Sequence, residues 1–249
     1  MAMARHFRTV RYRVESGGSG RRVRLVMVSD LHKARYGRNQ CILMAAIRRC
    51  RPDALLLCGD IFHHKPTESS REFLRQAAAF PCFFVTGNHE TRGGVADERR
   101  RYVRSLGIRV PEGTCEVLEA NGRQINLCGV EDPRVVGKET MHAQLAAARE
   151  ACRPGLFTVL MAHHPEWIRQ YLPYGFDLVL SGHAHGGQWR VPGLIDGLFA
   201  SGQGFFPTYT GGRYDFGRQI MIVGRGLTPV THYVPRLFNP PELVVVDLV

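Results

Sequence analysis

The stretch Asp177-Leu-Val-Leu-Ser-Gly-His-Ala-His185 leads from a short apolar run into two histidines that flank one small residue. Short continuous apolar runs are typical of parallel strands that are buried on both faces. Gly182, just before the first histidine, permits a tight turn of the backbone. Since a single histidine in such a place is more often a hydrogen-bonded structural residue than a ligand, this stretch needs support from elsewhere in the chain.

Four other apolar runs end in residues of the same kind. They are Leu25-Val-Met-Val-Ser-Asp30-Leu-His32, Ala54-Leu-Leu-Leu-Cys-Gly-Asp60, Cys82-Phe-Phe-Val-Thr-Gly-Asn88-His89-Glu90 and Phe157-Thr-Val-Leu-Met-Ala-His163-His164. Loops at the carboxyl ends of parallel strands converge on one rim of a sheet, so these side chains can meet there. The resulting set of Asp, Asn and His residues is large enough to hold two metal ions.

The histidines of the chain are concentrated at these strand ends, which makes chance clustering a poor explanation. Eight of the 11 lie in or beside the five blocks: His32, His63, His64, His89, His163, His164, His183 and His185.

The rest of the chain alternates between strand-like and helical patterns. Strand-rich sequence after residue 108 indicates two sheets packed together with helices outside. Residues 1–22 are a basic N-terminal segment, either a poorly ordered tail or an early strand and turn, and residues 23–249 are expected to form a single domain. Ser69-Ser-Arg-Glu72 has the pattern of a capping box. The patterns predict helices over 39–50, 69–79, 95–106, 139–151 and 166–171, and late strands over 125–130, 219–223 and 243–246.

The composition is that of a globular enzyme domain. Apolar residues make up 44% of the chain, which is enough for a substantial core, and no apolar run approaches the ~18 residues of a membrane span. The start of the chain lacks the apolar region of a secretory signal. The seven cysteines are odd in number and none forms C-x-x-C. A reducing cytoplasm is therefore the expected location.

The net charge of +11 indicates an anionic partner. A basic surface attracts phosphate esters, nucleic acid or acidic lipid headgroups, so peripheral contact with a membrane stays open. Part of the excess lies near the start of the chain and part in Arg99-Arg100-Arg101. A solvated arginine-rich surface would explain the same number, and nucleic acid is not the favoured partner.

The ordered set D-x-H, G-D, G-N-H-E, H and G-H-x-H resembles the calcineurin-like metallophosphoesterase superfamily, from Leu25 to Gln188. The extended form Ser181-Gly-His-Ala-His-Gly-Gly-Gln188, together with Asn239-Pro-Pro-Glu-Leu, is similar to a bacterial phosphodiesterase branch. Some members of that branch hydrolyse UDP-2,3-diacylglucosamine. The superfamily implies an α/β fold, a four-layer αββα sandwich of two mixed sheets with flanking helices and a dinuclear metal site.

The resemblance implies the roles of nine residues. Seven would ligate two divalent cations. Asp30, His32 and His185 would bind the first cation, and Asn88, His163 and His183 would bind the second. Asp60 would bridge the two. His163 is preferred to His164 because it directly follows the strand. His89 would be the catalytic general acid. Glu90 would not bind the metal itself but would orient the ring of His89. Imidazole ligands favour Mn²⁺, with Fe and Zn²⁺ as alternatives, over Mg²⁺.

These residues predict a metal-dependent phosphohydrolase. Two ions ~3.5–4 Å apart can clamp a phosphoryl group and bind a bridging hydroxide that attacks it. A phosphodiester or pyrophosphate is the expected substrate, such as a nucleotide-linked lipid. A nuclease, a cyclic-nucleotide phosphodiesterase and a non-catalytic metal-binding scaffold are the alternatives.

The substrate-binding residues are not predicted, and two segments stay open. His63 and His64 could line the mouth of the site or be exposed loop residues. The aromatic, glycine-rich segment 189–214 could form an apolar lip or a core beneath turns.

Overall fold

The computed structural model describes residues 6–17, 21–63, 66–91, 93–231 and 234–249. Its strands are β1 (Arg8–Val14), β2 (Val23–Val28), β3 (Ala54–Cys58), β4 (Cys82–Val85), β5 (Thr114–Ala120), β6 (Arg123–Gly129), β7 (Thr158–Met161), β8 (Leu178–Ser181), β9 (Phe199–Ala200), β10 (Gly204–Phe205), β11 (Gly212–Phe216), β12 (Gln219–Val223), β13 (Val230–Thr231), β14 (Val234–Pro235) and β15 (Glu242–Leu248). Its α-helices are α1 (Cys41–Cys50), α2 (Glu68–Ala77), α3 (Asn88–Thr91), α4 (Ala96–Ser105), α5 (Pro133–Glu150) and α6 (Ile168–Tyr171).

The strands form two large mixed sheets. The first has the order β1-β15-β2-β3-β4, with β2, β3 and β4 parallel and β15 antiparallel to β2. The second has the order β11-β12-β8-β7-β6-β5, parallel from β12 to β6 and antiparallel at both edges. Two short hairpins, β9–β10 and β13–β14, lie outside the large sheets.

The apolar runs are continuous because each central strand is buried on both faces. In β2, Leu25 and Met27 point into a core between the two sheets, while Val26 and Val28 point into a core beneath α1, α2 and α4. In β8, Leu178 and Leu180 enter the core between the sheets and Val179 enters a third core beneath α5. The layers are therefore helix, sheet, sheet and helix, which confirms the predicted αββα sandwich.

The basic N-terminal segment contributes a strand to the first sheet. β1 pairs in parallel with β15 over its whole length, from Arg8 opposite Glu242 to Val14 opposite Leu248. Of the two forms considered from the sequence, residues 8–14 adopt the early strand. The division of the chain at residues 22 and 23 stays a prediction.

Most predicted elements are present, and the starts of α1, α2 and α5 differ from the prediction for local reasons. The helix expected from residue 39 begins at Cys41, because Asn39 and Gln40 have positive φ angles of 51° and 58°. The capping box is formed by Thr67 and Ser70, not by residues 69–72, so α2 starts and ends earlier than predicted. The helix predicted from residue 139 begins at Pro133 instead.

The early start of α5 has a clear sequence signal that the periodicity hides. Asp132 caps the helix by accepting a hydrogen bond from the backbone N–H of Arg134, and Pro133 occupies the first turn, where proline is favoured. Gly137 has a φ of 82° and interrupts the helical geometry. The regular pattern therefore becomes readable only after this kink.

No α-helix within the described residues has both the length and the apolar character needed to cross a bilayer.

Candidate metal centre

The predicted ligands lie on the loops that follow β2, β3, β4, β7 and β8. Each of these strands has a parallel neighbour among the five, so the loops open at one end of the sandwich. Potential ligand atoms there form overlapping groups within 4.8 Å of one another: Asp30–His32–His185, His32–Asp60–His89, Asp30–Asp60–His163 and His163–His164–His183. The fold thus brings residues from five separate blocks into one cluster.

Two buried carboxylates lie at the middle of this cluster. Asp60 Oδ2 is 3.4 Å from His163 Nε2 and 3.7 Å from His32 Nε2. Asp30 Oδ1 is 3.6 Å from His185 Nε2 and 4.0 Å from His163 Nε2. Asp60 therefore lies between a histidine assigned to each of the two predicted ions, where a bridging ligand would have to be.

The residues predicted to hold the second ion fit a cation. Within the described part of the chain, Asn88 Oδ1, His163 Nε2 and His183 Nε2 are buried and have no hydrogen-bond partner. Unpaired buried polar atoms are costly, about 1–3 kcal/mol each. The Nδ1 of His163 donates to Cys58 O at 2.8 Å, which leaves the lone pair of Nε2 for a ligand. His163 and His183 belong to one group of potential ligand atoms within 4.8 Å of one another, so one divalent cation could satisfy both.

Burial keeps two of the histidines neutral. It lowers the pKa of His183 and of His185 well below the ordinary value. The positive charge of Arg236, whose guanidinium lies 3.2 Å from His185 Nδ1, adds to the effect on His185. Neutral imidazole is the form that ligates metal, so both side chains are suited to that role.

His163 shows the opposite shift, because it faces the carboxylates. Burial would lower its pKa, but the negative charges of Asp60 and Asp30 raise it to about 10. The two carboxylates therefore attract a positive charge, which here is a proton on His163. Because metal ligands must give up their protons, a bound cation would replace that proton.

The backbone is strained at this end of the sandwich. Left-handed φ angles are uncommon outside glycine and cost of the order of 1–3 kcal/mol each. Such strain persists where the surrounding structure fixes a functional geometry. Five of the seven predicted ligands have φ angles between 49° and 66°: Asp30, His32, Asp60, His183 and His185.

Two glycines make the close packing of the ligands possible. A Cβ on Gly59 would lie 2.3 Å from His163 Nδ1, and one on Gly87 would lie 2.4 Å from Asp60 Oδ1. Both distances are shorter than any contact between such atoms. The glycines of the G-D and G-N-H-E motifs are thus needed because ligand side chains pass directly over them.

Glu90 is fully buried and holds the loop that carries Asp60. Its Oε2 accepts hydrogen bonds from the backbone N–H groups of Asp60 and Gly87, both at 2.8 Å, and its Oε1 accepts from Phe62 at 2.8 Å. These bonds position Asp60, while the role of Glu90 in orienting the ring of His89 stays a prediction. Asp60 Oδ1 in turn accepts from the backbone N–H of His89.

Replacing Glu90 with alanine should destabilise the chain strongly. Three buried N–H groups would lose their acceptor, and each such loss costs about 1–3 kcal/mol. The free energy of unfolding should fall by about 3 kcal/mol or more in denaturant titrations. Glu139→Ala, on an exposed face of α5, is the matched control. Equal effects of the two substitutions would contradict this role of Glu90.

His164 is held between two carboxylates, which supports the choice of His163 as the ligand. Its Nε2 is 3.0 Å from Asp132 Oδ2, and its Nδ1 is 3.0 Å from Glu166 Oε1. Both ring nitrogens are therefore engaged. Glu166 Oε1 also lies 3.8 Å from His183 Nε2, so this network supports the centre from one side.

Residues near the C terminus support the other side. Arg236 is fully buried against His185, as noted above, and Asn239 donates from Nδ2 to His185 O at 2.7 Å and to Gln188 O at 3.1 Å. Asn239 belongs to a motif that the sequence analysis quotes, but neither residue was predicted to contact the site. No spacing rule links them to the histidine blocks.

His89, the predicted general acid, lies at the rim of the cluster. Its ring centroid is 4.4 Å from that of His32 and 5.1 Å from that of His63. His63 is half-buried and lies 5.7 Å from His32, so it belongs to the mouth of the site. His64 lies outside the described residues.

The segment that follows His185 is apolar and largely exposed. Leu194 is 80% exposed, Phe205 71% and Phe206 69%, while Tyr209 packs against the core beneath α5. The base of the segment contacts the loop that follows His185, since Leu198 donates from its backbone N–H to Gly187 O. Both alternatives for residues 189–214 therefore hold in part, with a core at Tyr209 and an exposed apolar surface before it.

The chain is similar to known proteins in sequence and in fold. The metallophosphoesterase YkuE of Bacillus subtilis (strain 168) is 26% identical over 233 residues, which is 90% of this chain and 78% of the relative. Phosphodiesterase YaeI of Escherichia coli (strain K12) is 28% identical over 234 residues, 91% of this chain and 82% of the relative. The structure of phosphopantetheinyl hydrolase from Mycobacterium tuberculosis is similar in fold, with a TM-score of 0.53 at 15% identity over 82% of this chain and 89% of that one.

A family model described as calcineurin-like phosphoesterase matches residues 23–187, from the first strand of the site to the glycines behind His185. This range contains all seven predicted ligands as well as His89 and Glu90. The chain belongs to the calcineurin-like phosphoesterase family.

Proposed function

We propose that the chain hydrolyses a phosphodiester or pyrophosphate bond with two divalent cations held by the seven predicted ligands. The observation that carries the proposal is the cluster at the strand ends, where Asp60 lies between histidines assigned to different ions. Mn²⁺ is the expected metal, with Fe and Zn²⁺ as alternatives, because four of the ligands are imidazoles. A relative named phosphodiesterase supports the diester over the monoester.

The charge of the site suits a phosphate. When bound, the two cations would polarise the phosphoryl oxygens and supply a nucleophile at neutral pH. The ligands contribute two negative charges, from Asp30 and Asp60, so a positive surplus would remain for the substrate. Asn88 and the histidines bind without adding negative charge, which preserves that surplus.

His89 would deliver a proton to the leaving oxygen. It lies next to the ligands on α3, its backbone N–H is anchored to Asp60, and its ring faces His32 and His63. The guanidinium of Arg99 donates a hydrogen bond to the backbone carbonyl of His89, which fixes the start of α3. A ring nitrogen of His89 is therefore held at the rim, where a leaving group would depart.

Hydrolysis of bis-p-nitrophenyl phosphate tests the proposal. The purified chain should turn over this diester with added Mn²⁺ and lose activity with a chelator. Elemental analysis of active enzyme should find about two transition-metal ions per chain. Fewer than one ion per chain in active enzyme would contradict the dinuclear centre, and no turnover with any divalent metal would favour the scaffold.

A nuclease is a weaker alternative because the arginine run beside the site is largely engaged. Arg99 is buried beneath His89, with its guanidinium 5.8 Å from the ring centroid of Phe62. Arg100 forms ion pairs with Asp97, Glu112 and Glu131. A nucleic-acid backbone would need free cations along its path, and binding would then be strongly salt-dependent.

An apolar part of the substrate would explain the exposed segment after His185. Phe205 and Phe206 follow each other with most of their surface in water, and Phe199 stacks edge-on against Phe205 at 5.5 Å. A nucleotide-linked lipid such as UDP-2,3-diacylglucosamine has both the phosphate that the metals require and acyl chains for this surface. Contact with an acidic membrane would use the same surface and the net charge of +11.

Replacing Phe205 and Phe206 together with serine should weaken action on a lipidic diester at least about tenfold in kcat/KM, mostly through KM. Action on bis-p-nitrophenyl phosphate should change little, because that substrate has no acyl chains. Ile42→Ser, at another exposed apolar residue, is the control. Equal losses on both substrates would mean that the two rings support the fold, and the lipid hypothesis would then fail.

A further inference from the structure

Three cysteines from different parts of the chain converge on the outer side of the second sheet. Cys115 in β5 is the cross-strand partner of Cys128 in β6, and Cys152 follows the end of α5. Their Sγ atoms all lie within 4.8 Å of one another, and those of Cys128 and Cys152 are 3.4 Å apart. A cation bound to three thiolates at ~2.3 Å would hold the sulfurs roughly 4 Å apart. The cluster therefore needs only small shifts to enclose an ion.

The surroundings of the cluster suit a cation. The carbonyl of Ala148, in the last turn of α5, accepts from Cys152 Sγ at 3.2 Å and faces Cys128 Sγ at 3.9 Å. The carboxyl end of a helix carries a partial negative charge, which favours a positive ion. Cys115 and Cys152 are half-buried and Cys128 is fully buried, so an ion can enter from the solvent side and meet the third sulfur inside.

We propose that Cys115, Cys128 and Cys152 form a three-thiolate site for a soft d10 cation such as Zn²⁺ or Cu⁺. Thiolates select these ions, and the absence of His, Asp or Glu from the group excludes hard cations. Three thiols would release three protons as the ion binds. For an ion of charge n+, the product is a three-thiolate complex of charge n−3 together with three H⁺. Because these protons must leave, binding should strengthen as the pH rises.

The thiol site is distinct in chemistry and position from the phosphoesterase centre. Its ligands are all sulfur, whereas the centre has only nitrogen and oxygen. α5 connects the two, since its N-cap Asp132 contacts His164 and its last turn carries Ala148. An ion bound by the thiols would thus fix the far end of a helix whose start contacts His164.

Titration with Cd²⁺ tests the site independently of catalysis. Cadmium thiolates have an ultraviolet charge-transfer band that nitrogen and oxygen ligands do not give, so ions in the other centre are silent. In protein whose other centre is already loaded with Mn²⁺, one added Cd²⁺ per chain should saturate the band, and Zn²⁺ and Cu⁺ added in separate arms should show which of them displaces it. Cys152→Ser should weaken Cd²⁺ binding by more than about 100-fold, because losing a ligand costs more than losing a supporting residue.

Two controls keep the test decisive. Cys41→Ser, at an exposed cysteine outside the cluster, should leave the band unchanged. Cys115→Ser provides a second half-buried position in case Cys152→Ser does not fold, and both variants should keep their activity on bis-p-nitrophenyl phosphate. A weak band in the parent chain, or a band that survives both substitutions, would overturn the proposal. So would a mass lower by two hydrogens in untreated protein, which would show a disulfide in place of the thiols.

Discussion

Asp60→Asn should strip both metal ions from the chain and reduce phosphodiester hydrolysis to near the background rate. The substitution keeps the shape of the side chain but removes the negative charge that lies 3.4 Å from His163 and 3.7 Å from His32. Two cations held side by side repel each other, so the shared anion between them matters more than any single ligand. Elemental analysis and turnover of bis-p-nitrophenyl phosphate would be measured on the same preparation.

The matched control for this substitution is Asp215→Asn, which removes an exposed carboxylate that pairs with Arg213. It should leave metal content and turnover unchanged. If Asp60→Asn kept about two ions per chain and normal activity, Asp60 would not be a bridging ligand. Loss of only one ion would place Asp60 on a single metal.

His89→Asn should separate proton transfer from metal binding. It should lower turnover by about 10²–10⁴-fold, the usual contribution of a general acid, while both ions stay bound. The loss should shrink for diesters with good leaving groups, which depart without a proton. Rates on a series of aryl diesters with rising leaving-group pKa, measured for both proteins, would show this trend.

The same variant also tests the other role that the geometry permits. His89 belongs to a group with His32 and Asp60 whose potential ligand atoms lie within 4.8 Å of one another. If His89→Asn loses metal, His89 is a ligand and the acid assignment is wrong. His142→Asn is the control, because His142 lies in α5, contacts Tyr174 and belongs to none of the ligand groups of the centre.

The architecture could be predicted from the sequence because one physical rule orders it. Strands that are buried on both faces, as β2 and β8 are, must be apolar throughout, and polar residues can appear only where such strands end. The ends of parallel strands share one edge, so Asp30 and His185 could be placed together although 155 positions separate them. The same rule favours His163 over His164, since His163 lies closer to the end of β7.

The supporting residues could not be found in this way, because their contacts depend on how loops fold back. Glu90 lies beside His89 in sequence, yet its carboxylate turns toward the backbone of Asp60 and Phe62. Asp132 reaches His164 only because α5 begins earlier than its periodicity indicates. Arg236 approaches His185 from a loop 51 positions away in sequence.

The thiol cluster shows the same limit more clearly. Cys115, Cys128 and Cys152 have no motif spacing, and each is credible alone as a small buried apolar residue. Their meeting depends on the register of β5 with β6 and on the point at which α5 ends. Neither quantity can be read from hydrophobic periodicity.

The position of β15 has a consequence for the order in which the chain acquires its structure. β15 lies between β1 and β2, so the first sheet cannot be completed until residue 248 has left the ribosome. Thr228 also donates to the carbonyl of Asp30, which ties the loop of an early ligand to late sequence. Contacts of such long range slow folding. The nascent chain would thus expose Asp30 and His32 well before their final geometry exists, and metal loading should follow the emergence of β15.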